Sequence, residues 1–241
     1  MKKYWKTLIG KCIYHSPTGV KVHQNLIYRW LTIESNIIQT LINRFQLSNA
    51  SLLYIKAITF ASKNREGETC LLGLGGCAIP HALVMQQSRI TAIEINNDII
   101  EIANKYFKAE KLKNLDIINA DANAFLKNTD KKFQHLIIDI HDSSGFPKNC
   151  LNLDFFTNCK KVLCQGGTMT INLAKYSDFL AVTPLLNLSF PEISVTIPVP
   201  KTSNIVICKA RGESILKQFT DTNLITKIIW DNTFGYLVKL K

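Results

Sequence analysis

Acidic side chains follow three of the apolar segments in the middle of the chain. Glu94 ends one segment, Asp121 follows the next, and Asp139 and Asp142 follow a third. An earlier apolar segment runs into the glycine-rich stretch 73–78, which reads Gly-Leu-Gly-Gly-Cys-Ala. If these segments are parallel strands of one open sheet, their carboxyl ends line a single crevice, which is where such sheets bind ligands.

The glycine-rich stretch and the first two acids predict a nucleoside site. Gly73 and Gly75 permit a sharp strand-to-helix turn whose backbone amides can approach a carboxylate or a pyrophosphate. Glu94, 21 residues after Gly73 (94 − 73), is placed to accept both hydroxyls of a ribose. Asp121 can accept from an adenine amino group while the backbone N–H of Ala122 donates to the ring. The alternatives are that Glu94 only caps a strand and that Asp121 caps the following helix, a role compatible with adenine binding.

The last two acids predict an amine site. Asp139 and Asp142 lie three residues apart, after an apolar strand and before a loop that contains glycine and proline. Two nearby carboxylates can hold a cationic amine, and one of them can take its proton as the amine attacks. The alternative is a polar loop in which Asp142 forms an Asx turn. His141 is expected to be a loop residue.

Alternating apolar strands and helices must position these groups. Short connections and helical crossovers predict a doubly wound, mainly parallel, seven-stranded sheet, which is a Rossmann-like α/β fold. Its last two strands, 193–199 and 205–209, are expected to form an antiparallel pair at the sheet edge. The other strands are predicted over 69–74, 89–95, 115–119, 135–140 and 168–173, with helices from 79 and over 98–106, 122–126 and 153–163.

The N-terminal part is predicted to be a small β extension. Residues 19–42 indicate one or two strands that enter a helix near 37–45, and 52–62 indicate a second helix. We therefore divide the chain into an extension over 1–50 and a nucleoside-binding α/β domain over 51–241.

Composition limits the function classes. The 241 residues are 46% hydrophobic with a net charge of +11, and residues 1–33 carry six lysines and arginines and no acid. No nucleic-acid motif accompanies this charge, so we do not expect nucleic-acid binding. No apolar run reaches the length of about 18 residues that spans a bilayer, and no signal peptide is indicated, which predicts a cytoplasmic protein. The seven cysteines are scattered, and with the five histidines they offer no metal-ligand spacing, so no metal is expected.

Together, these segments resemble the spermidine synthase family, polyamine aminopropyltransferases built on the S-adenosylmethionine-dependent methyltransferase fold. The resemblance runs from about Tyr28 to Asn172, and the segments that carry it are Arg29-Trp30-Leu31-Thr32-Ile33 with Gln39, Leu72-Gly73-Leu74-Gly75-Gly76, Ile93-Glu94-Ile95, Asp121-Ala122 and Asp139-Ile140-His141-Asp142. It implies that Asp139 activates the amine and Asp142 binds it. The cofactor contacts that it implies are Gln39, Gly73, Gly75, Glu94, Asp121, Ala122 and Asp139.

The chain departs from that family at three places. The family's glycine loop reads G-G-G-D-G, whereas residues 75–79 contain no acid to pair with the amine of decarboxylated S-adenosylmethionine. Ordinary S-adenosylmethionine carries a carboxylate beside that amine, which helix N-terminal amides can receive. The acidic loop also differs from the family's D-S-S-D-P-x-G-P-A, and Tyr54-Ile55 stands where the family has tyrosine and glutamine. These differences bring polyamine recognition into question.

We predict a spermidine synthase-like transferase that uses decarboxylated S-adenosylmethionine or S-adenosylmethionine to alkylate a small amine. The product would be methylthioadenosine or S-adenosylhomocysteine, and the N-terminal strands are expected to pair in a homodimer, as the resemblance implies. One alternative is an S-adenosylmethionine-dependent methyltransferase. Another is an NAD-dependent oxidoreductase, because Gly73-x-Gly75-x-x-Ala78 satisfies the dinucleotide fingerprint. A third is a non-catalytic nucleoside-binding protein.

Overall fold

A computed structural model describes residues 5–33, 37–49, 52–63, 65–84, 88–142, 144–212, 214–220, 225–232 and 234–240. The predicted domain boundary between residues 50 and 51 lies outside these ranges, as do Lys2 and Lys3 of the basic arm and Ser143 of the acidic loop. The strands are Lys11–His15 (β1), Val20–Gln24 (β2), Tyr28–Ile33 (β3), Ile37–Asn43 (β4), Thr69–Leu72 (β5), Ile90–Glu94 (β6), Leu115–Asn119 (β7), Phe133–Ile138 (β8), Leu163–Leu173 (β9), Val195–Pro198 (β10), Ile205–Ala210 (β11), Ile225–Asp231 (β12) and Gly235–Leu240 (β13). The α-helices are Leu53–Ile58 (α1), Phe60–Lys63 (α2), Ala78–Leu83 (α3), Asn97–Phe107 (α4), Ala122–Asn128 (α5), Leu153–Val162 (α6), Tyr176–Ser189 (α7) and Leu216–Thr220 (α8).

The N-terminal strands form a separate four-stranded antiparallel sheet in the order β1-β2-β3-β4. The helix predicted near 37–45 is wrong, because this segment is β4. Its apolar residues at 37, 38, 41 and 42 fit a helical period as well as a strand. Pairing with β3 and burial of the consecutive residues Thr40, Leu41 and Ile42 favour the strand, since both of its faces are covered.

The larger sheet has the strand order β12-β13-β10-β11-β9-β8-β5-β6-β7. Strands β5 to β9 are parallel, and β11 runs antiparallel to both β9 and β10, as predicted for the edge pair. The seven predicted strands are thus all present, and the hairpin of β12 and β13 extends the sheet to nine strands in the described ranges. The confirmed fold class is α/β with a small N-terminal β sheet.

Helices cover both faces of this sheet. The core on one face includes α1, α3, α4 and the N-terminal sheet, and the core on the other includes α5, α6 and α7. Helix α7 was not predicted, because Pro184 lies inside it and apolar residues occur all around it. Among the described helices, none is both long and apolar enough to cross a membrane.

The sheet reverses its winding beside β5. This strand has β6 on one side and β8 on the other, so the connections that leave β5 and β8 diverge to opposite faces. A crevice opens at the carboxyl ends of the strands at such a switch point. The ends of β5, β6, β7 and β8 carry the residues that the sequence singled out.

Candidate functional site

The glycine turn after β5 depends on close backbone packing. Gly73 has φ +89°, and a Cβ atom at this position would lie 2.3 Å from the carbonyl oxygen of Asp139. The ends of β5 and β8 can therefore approach each other only because residue 73 has no side chain. Cys77 begins α3 in the left-handed conformation, and burial raises the pKa of its thiol. The turn thus contributes backbone groups and no carboxylate.

The N-terminal sheet supports this turn. The backbone N–H of Gly76 donates to Oγ1 of Thr40 at 2.8 Å, and Thr40 lies in β4 and is buried. A Cβ atom at Gly76 would lie 2.7 Å from Cγ2 of Thr40, so the two segments touch. Sequence reasoning missed Thr40 because its partner is 36 residues away.

Glu94 lies at the end of β6 and is buried, with 8% of its surface exposed. Its Oε2 accepts from the backbone N–H of Leu74 at 3.0 Å, and its Oε1 accepts from that of Asn96 at 3.0 Å. These bonds fix the carboxylate between the glycine turn and the start of α4. Each oxygen retains one lone pair that can accept a ligand hydroxyl.

Asp121 caps α5, which confirms the alternative given for this residue. Its Oδ1 accepts from the backbone N–H of Ala124 at 2.8 Å, and its Oδ2 accepts from Nδ2 of Asn149 at 3.1 Å. Asn149 was not singled out in the sequence, although it holds the carboxylate from the loop after β8. Asp121 and Ala122 both line the crevice, so capping leaves the predicted contact with an adenine available.

Asp139 follows β8 and is the centre of a hydrogen-bond network. Its Oδ2 accepts from the Tyr54 hydroxyl at 3.1 Å, and its Oδ1 accepts from Nδ2 of Asn172 at 2.9 Å. Oδ1 of Asn172 in turn accepts from Nδ2 of Asn204 at 2.9 Å, which orients the Asn172 amide toward Asp139. The pKa of Tyr54 is raised well above 10, mainly by burial and to a smaller extent by the charge of Asp139 and by this hydrogen bond. Tyr54 is therefore a neutral hydroxyl that donates to the Asp139 carboxylate.

Asp142 forms an Asx turn, which confirms the alternative for this residue. Its Oδ1 accepts from the Ser144 hydroxyl at 2.6 Å and from the backbone N–H groups of Ser144 and Gly145 at 2.7 and 3.1 Å. The Ser144 hydroxyl, with these amides, lowers the pKa of Asp142. His141 lies between the two acids, with Nδ1 3.8 Å from Oδ1 of Asp139. Its Nε2 is buried and has no hydrogen-bond partner among the described residues.

These groups meet in one cleft of about 310 Å³. Leu31, Ile79 and Ile99 contribute apolar surface to it, as suits a ligand with a flat ring. All eight residues that the sequence proposed for the site line this cleft: Gln39, Gly73, Gly75, Glu94, Asp121, Ala122, Asp139 and Asp142. Within the described ranges, no group of three or more histidine, cysteine, aspartate or glutamate side chains is arranged to hold a metal ion.

Comparison with known sequences supports the family resemblance. Residues 72–177 match the spermine/spermidine synthase domain. The chain is 27% identical over 170 residues to a polyamine aminopropyltransferase of Buchnera aphidicola, covering 66% of this chain and 58% of that protein. It is also 29% identical over 145 residues to an eEF1A lysine and N-terminal methyltransferase homolog of Drosophila pseudoobscura, covering 54% of this chain and 21% of that protein. The chain thus spans less than two thirds of either relative.

Solved structures confirm the fold. A spermidine synthase in complex with the transition-state analogue AdoDATO has a TM-score of 0.72 at 15% identity, covering 86% of this chain and 76% of that one. Human methyltransferase-like protein 13 in complex with SAH has a TM-score of 0.61 at 16% identity, covering 70% of this chain and 88% of that one. The α/β architecture is therefore shared with both kinds of transferase.

Proposed function

We propose, from the match of residues 72–177 to the spermine/spermidine synthase domain, that the cleft transfers an alkyl group from an adenosyl sulfonium compound to an amine. The observation that carries the proposal is the meeting of Glu94, Asp121 and Asp139 in one cleft beside the Gly73 turn. When bound, the sulfonium supplies a carbon that is activated for attack by a nucleophile.

The adenosine half of the ligand fits the end formed by β6 and β7. Glu94 has an acceptor position on each oxygen for the ribose hydroxyls, and its orientation is fixed by two backbone amides. Asp121 and the backbone N–H of Ala122 suit the edge of an adenine ring. Gln39 and the Gly73 turn are proposed to contact the remainder of the cofactor.

Asp139 is proposed to hold and deprotonate the acceptor. An alkyl amine has an ordinary pKa of about 10 and is protonated at neutral pH, so it must lose a proton before it can attack. Tyr54 and Asn172 donate to the two carboxylate oxygens of Asp139 and set its orientation. Asp139 accepts the amine proton, and the nitrogen lone pair becomes available toward the sulfonium carbon. Orienting the two reactants supplies much of the rate.

Methyl transfer from S-adenosylmethionine is the second candidate function. The described residues of the glycine turn include no carboxylate to pair with the amine of a decarboxylated cofactor, and an unpaired buried ammonium would cost several kcal/mol. The N–H groups of Gly73, Leu74, Gly76 and Cys77 donate within the protein, so the N–H of Gly75 is the group of this turn that we propose to receive a carboxylate. The two candidates differ in the cofactor form, which a binding measurement distinguishes.

Calorimetry with S-adenosylmethionine, its decarboxylated form, methylthioadenosine and NAD tests the site directly. We expect one of the two sulfonium compounds to bind most tightly and Glu94→Gln to weaken it by 10-fold or more, because glutamine has one acceptor oxygen instead of two. Tight binding of NAD with no response to either sulfonium compound would favour the oxidoreductase alternative.

Turnover with a panel of monoamines and diamines tests the chemistry. We expect Asp139→Asn to lose at least 100-fold in rate, whereas Asp130→Asn, an exposed change of the same type, keeps the activity. Full activity of Asp139→Asn would show that the assigned base is wrong. Binding of the cofactor without turnover of any amine would favour the non-catalytic alternative.

We further propose a cytoplasmic protein that forms a homodimer through its N-terminal strands. The basis is the match to an enzyme family and the exposure of Leu26, in the turn between β2 and β3, and of Ile37, in β4. Light scattering tests the dimer, and a monomer at micromolar concentration would count against it.

A further inference from the structure

A second concave surface lies where β3 and β4 meet the end of α4. It consists of two adjoining hollows of about 600 and 230 Å³ that share Arg44, Phe45 and Lys108. Lys111 lines only the larger hollow, and Arg29 lines only the smaller one. We call the surface formed by these five residues the cationic groove. It has no lining residue in common with the cleft described above.

The positive charges of this groove have no counter-charge in the described part of the chain. Neither hollow has an aspartate or a glutamate among its described lining residues, and none of the four cations forms an ion pair with a described carboxylate. Glu110, which is exposed, lies between Lys108 and Lys111 in sequence but does not line either hollow. The pKa of Arg29 is lowered, mainly by burial and to a smaller extent by the charge of Arg44. Arg29 and Arg44 are half-buried and Lys108 and Lys111 are exposed, so an anion in the groove would be attracted by four cations that no described carboxylate pairs with.

The two guanidinium groups are held in place by neutral acceptors. Arg29 donates from Nε and Nη2 to Oε1 of Gln24 and from Nη1 to the carbonyl of Tyr106. Arg44 donates from Nη1 to two carbonyl oxygens of the turn between β2 and β3, at 2.8 and 2.9 Å. Each group keeps further N–H donors. Because these two guanidinium groups are already held in place, an anion that binds them loses little arginine side-chain entropy.

An exposed aromatic ring borders these cations. The side chain of Phe45 is 74% exposed, and the guanidinium carbon of Arg44 lies 5.9 Å from its ring centroid. Cations along a groove with an exposed ring beside them suit an alternation of phosphates and flat bases. Contrary to the expectation from the sequence, which has no nucleic-acid motif, we propose that the cationic groove binds a single-stranded nucleic acid, with its phosphates on the four cations and a base stacked on Phe45.

Fluorescence anisotropy with labelled 12-nucleotide RNA and DNA strands tests this proposal without reference to catalysis. Four phosphate contacts predict a slope of about −3 for log K against log salt, which is a loss of roughly 50-fold between 50 and 200 mM salt. Lys111→Gln and Lys108→Gln should each weaken binding about 3- to 10-fold and reduce the slope by about 0.7. Comparing the affinities of the RNA and the DNA oligonucleotide shows which of the two nucleic acids the groove prefers.

Two controls distinguish binding in the cationic groove from binding to positive charge elsewhere on the surface. Lys161→Gln removes an exposed charge at the end of α6, on the opposite face of the sheet, and should leave the affinity unchanged. Phe45→Ala should weaken oligonucleotide binding about 10-fold while leaving heparin, a polyanion without bases, unaffected. Because Phe45 is exposed, this variant should keep the fold, which circular dichroism checks. Equal losses with Lys161→Gln, no effect of Phe45→Ala on either strand, or no strand binding at 50 mM salt would each overturn the proposal.

Discussion

Individual residues at this site are constrained by the space around them as much as by chemistry. Gly73 combines a positive φ with a carbonyl oxygen 2.3 Å from the position of a Cβ atom. Glu94 and Asp121 each use their carboxylate oxygens to bind backbone amides or an amide side chain as well as lining the cleft. The predicted ligand residues are therefore also the residues that hold the rim of the sheet together.

Gly73→Ala tests this dual constraint. The left-handed conformation costs a residue with a side chain about 1–2 kcal/mol, and the overlap with Asp139 adds about 1–3 kcal/mol. We expect a loss of unfolding free energy of about 2–5 kcal/mol, measured by urea denaturation. Gly75→Ala, whose Cβ would lie 3.2 Å from Thr40 Oγ1, should cost less. Equal losses in the two variants would contradict this explanation.

At the scale of elements, strands from outside the parallel sheet complete the cleft. Strand β4 of the N-terminal sheet lines the cleft with Gln39 and Thr40, and Asn204, in the turn between β10 and β11, holds the Asn172 amide that donates to Asp139. In the sequence, Gln39 was singled out only through the family resemblance, and Thr40 and Asn204 were not singled out. The site therefore depends on how two sheets and one hairpin pack around β5 and β8.

Thr40→Val tests the contact between the sheets. Valine has nearly the same shape but leaves the buried N–H of Gly76 without its acceptor, which costs about 1–3 kcal/mol. We expect a lower melting temperature and weaker binding of the adenosyl ligand in calorimetry. Thr40→Ser restores the hydroxyl and should recover most of the affinity, and failure of this rescue would show that packing alone matters.

Asn204→Ala tests the hairpin. Without Asn204 the amide of Asn172 is free to turn away from Asp139, so we expect the maximal rate to fall about 3- to 10-fold while the affinity for the adenosyl ligand is unchanged. Asn128→Ala, an exposed change at the end of α5, should alter neither quantity. A fall in ligand affinity with an unchanged rate would contradict the positioning role.

For the molecule as a whole, the pH dependence of stability should reflect buried His135. This residue lies in β8, where Nε2 is 3.2 Å from the carbonyl of Arg65 and Nδ1 is 2.8 Å from the hydroxyl of Thr168. Because a carbonyl can only accept, Nε2 carries the proton and Nδ1 accepts from Thr168. Burial lowers the pKa of His135 from 6.5 to about 4, so the folded protein binds this proton less readily than the unfolded chain.

The contribution of His135 to the unfolding free energy should therefore be fully retained above pH 6.5 and fall as the pH decreases toward 4. The contribution of His135 to this fall is at most about 3 kcal/mol, from about 1.4 kcal/mol for each pH unit. Denaturant titrations between pH 4 and 7 measure it. His135→Gln should be less stable at pH 7 but lose less on acidification, whereas His15→Gln, an exposed change, should follow the unmodified protein. Identical slopes in all three proteins would exclude His135 as the source.

The sequence by itself determined the elements that repeat a local pattern. Strand β7 was predicted with its observed bounds, and the parallel strands, the glycine turn and the acids at the strand ends were all readable because neighbouring residues encode them. The spacing of apolar residues did not distinguish a helix from a strand in β4, because both faces of this segment are buried. Tertiary packing selected the strand.

Only the tertiary structure decided which distant residues cooperate. Tyr54 and Asn172 reach Asp139 from 85 and 33 residues away (139 − 54 and 172 − 139), and Asn204 reaches Asn172 from 32 residues away (204 − 172). Four scattered cations likewise meet in one groove. No local periodicity signals such meetings, because they arise from the order of strands and the packing of two sheets. The sequence specifies the chemistry of each side chain, but the fold determines which other side chains it contacts.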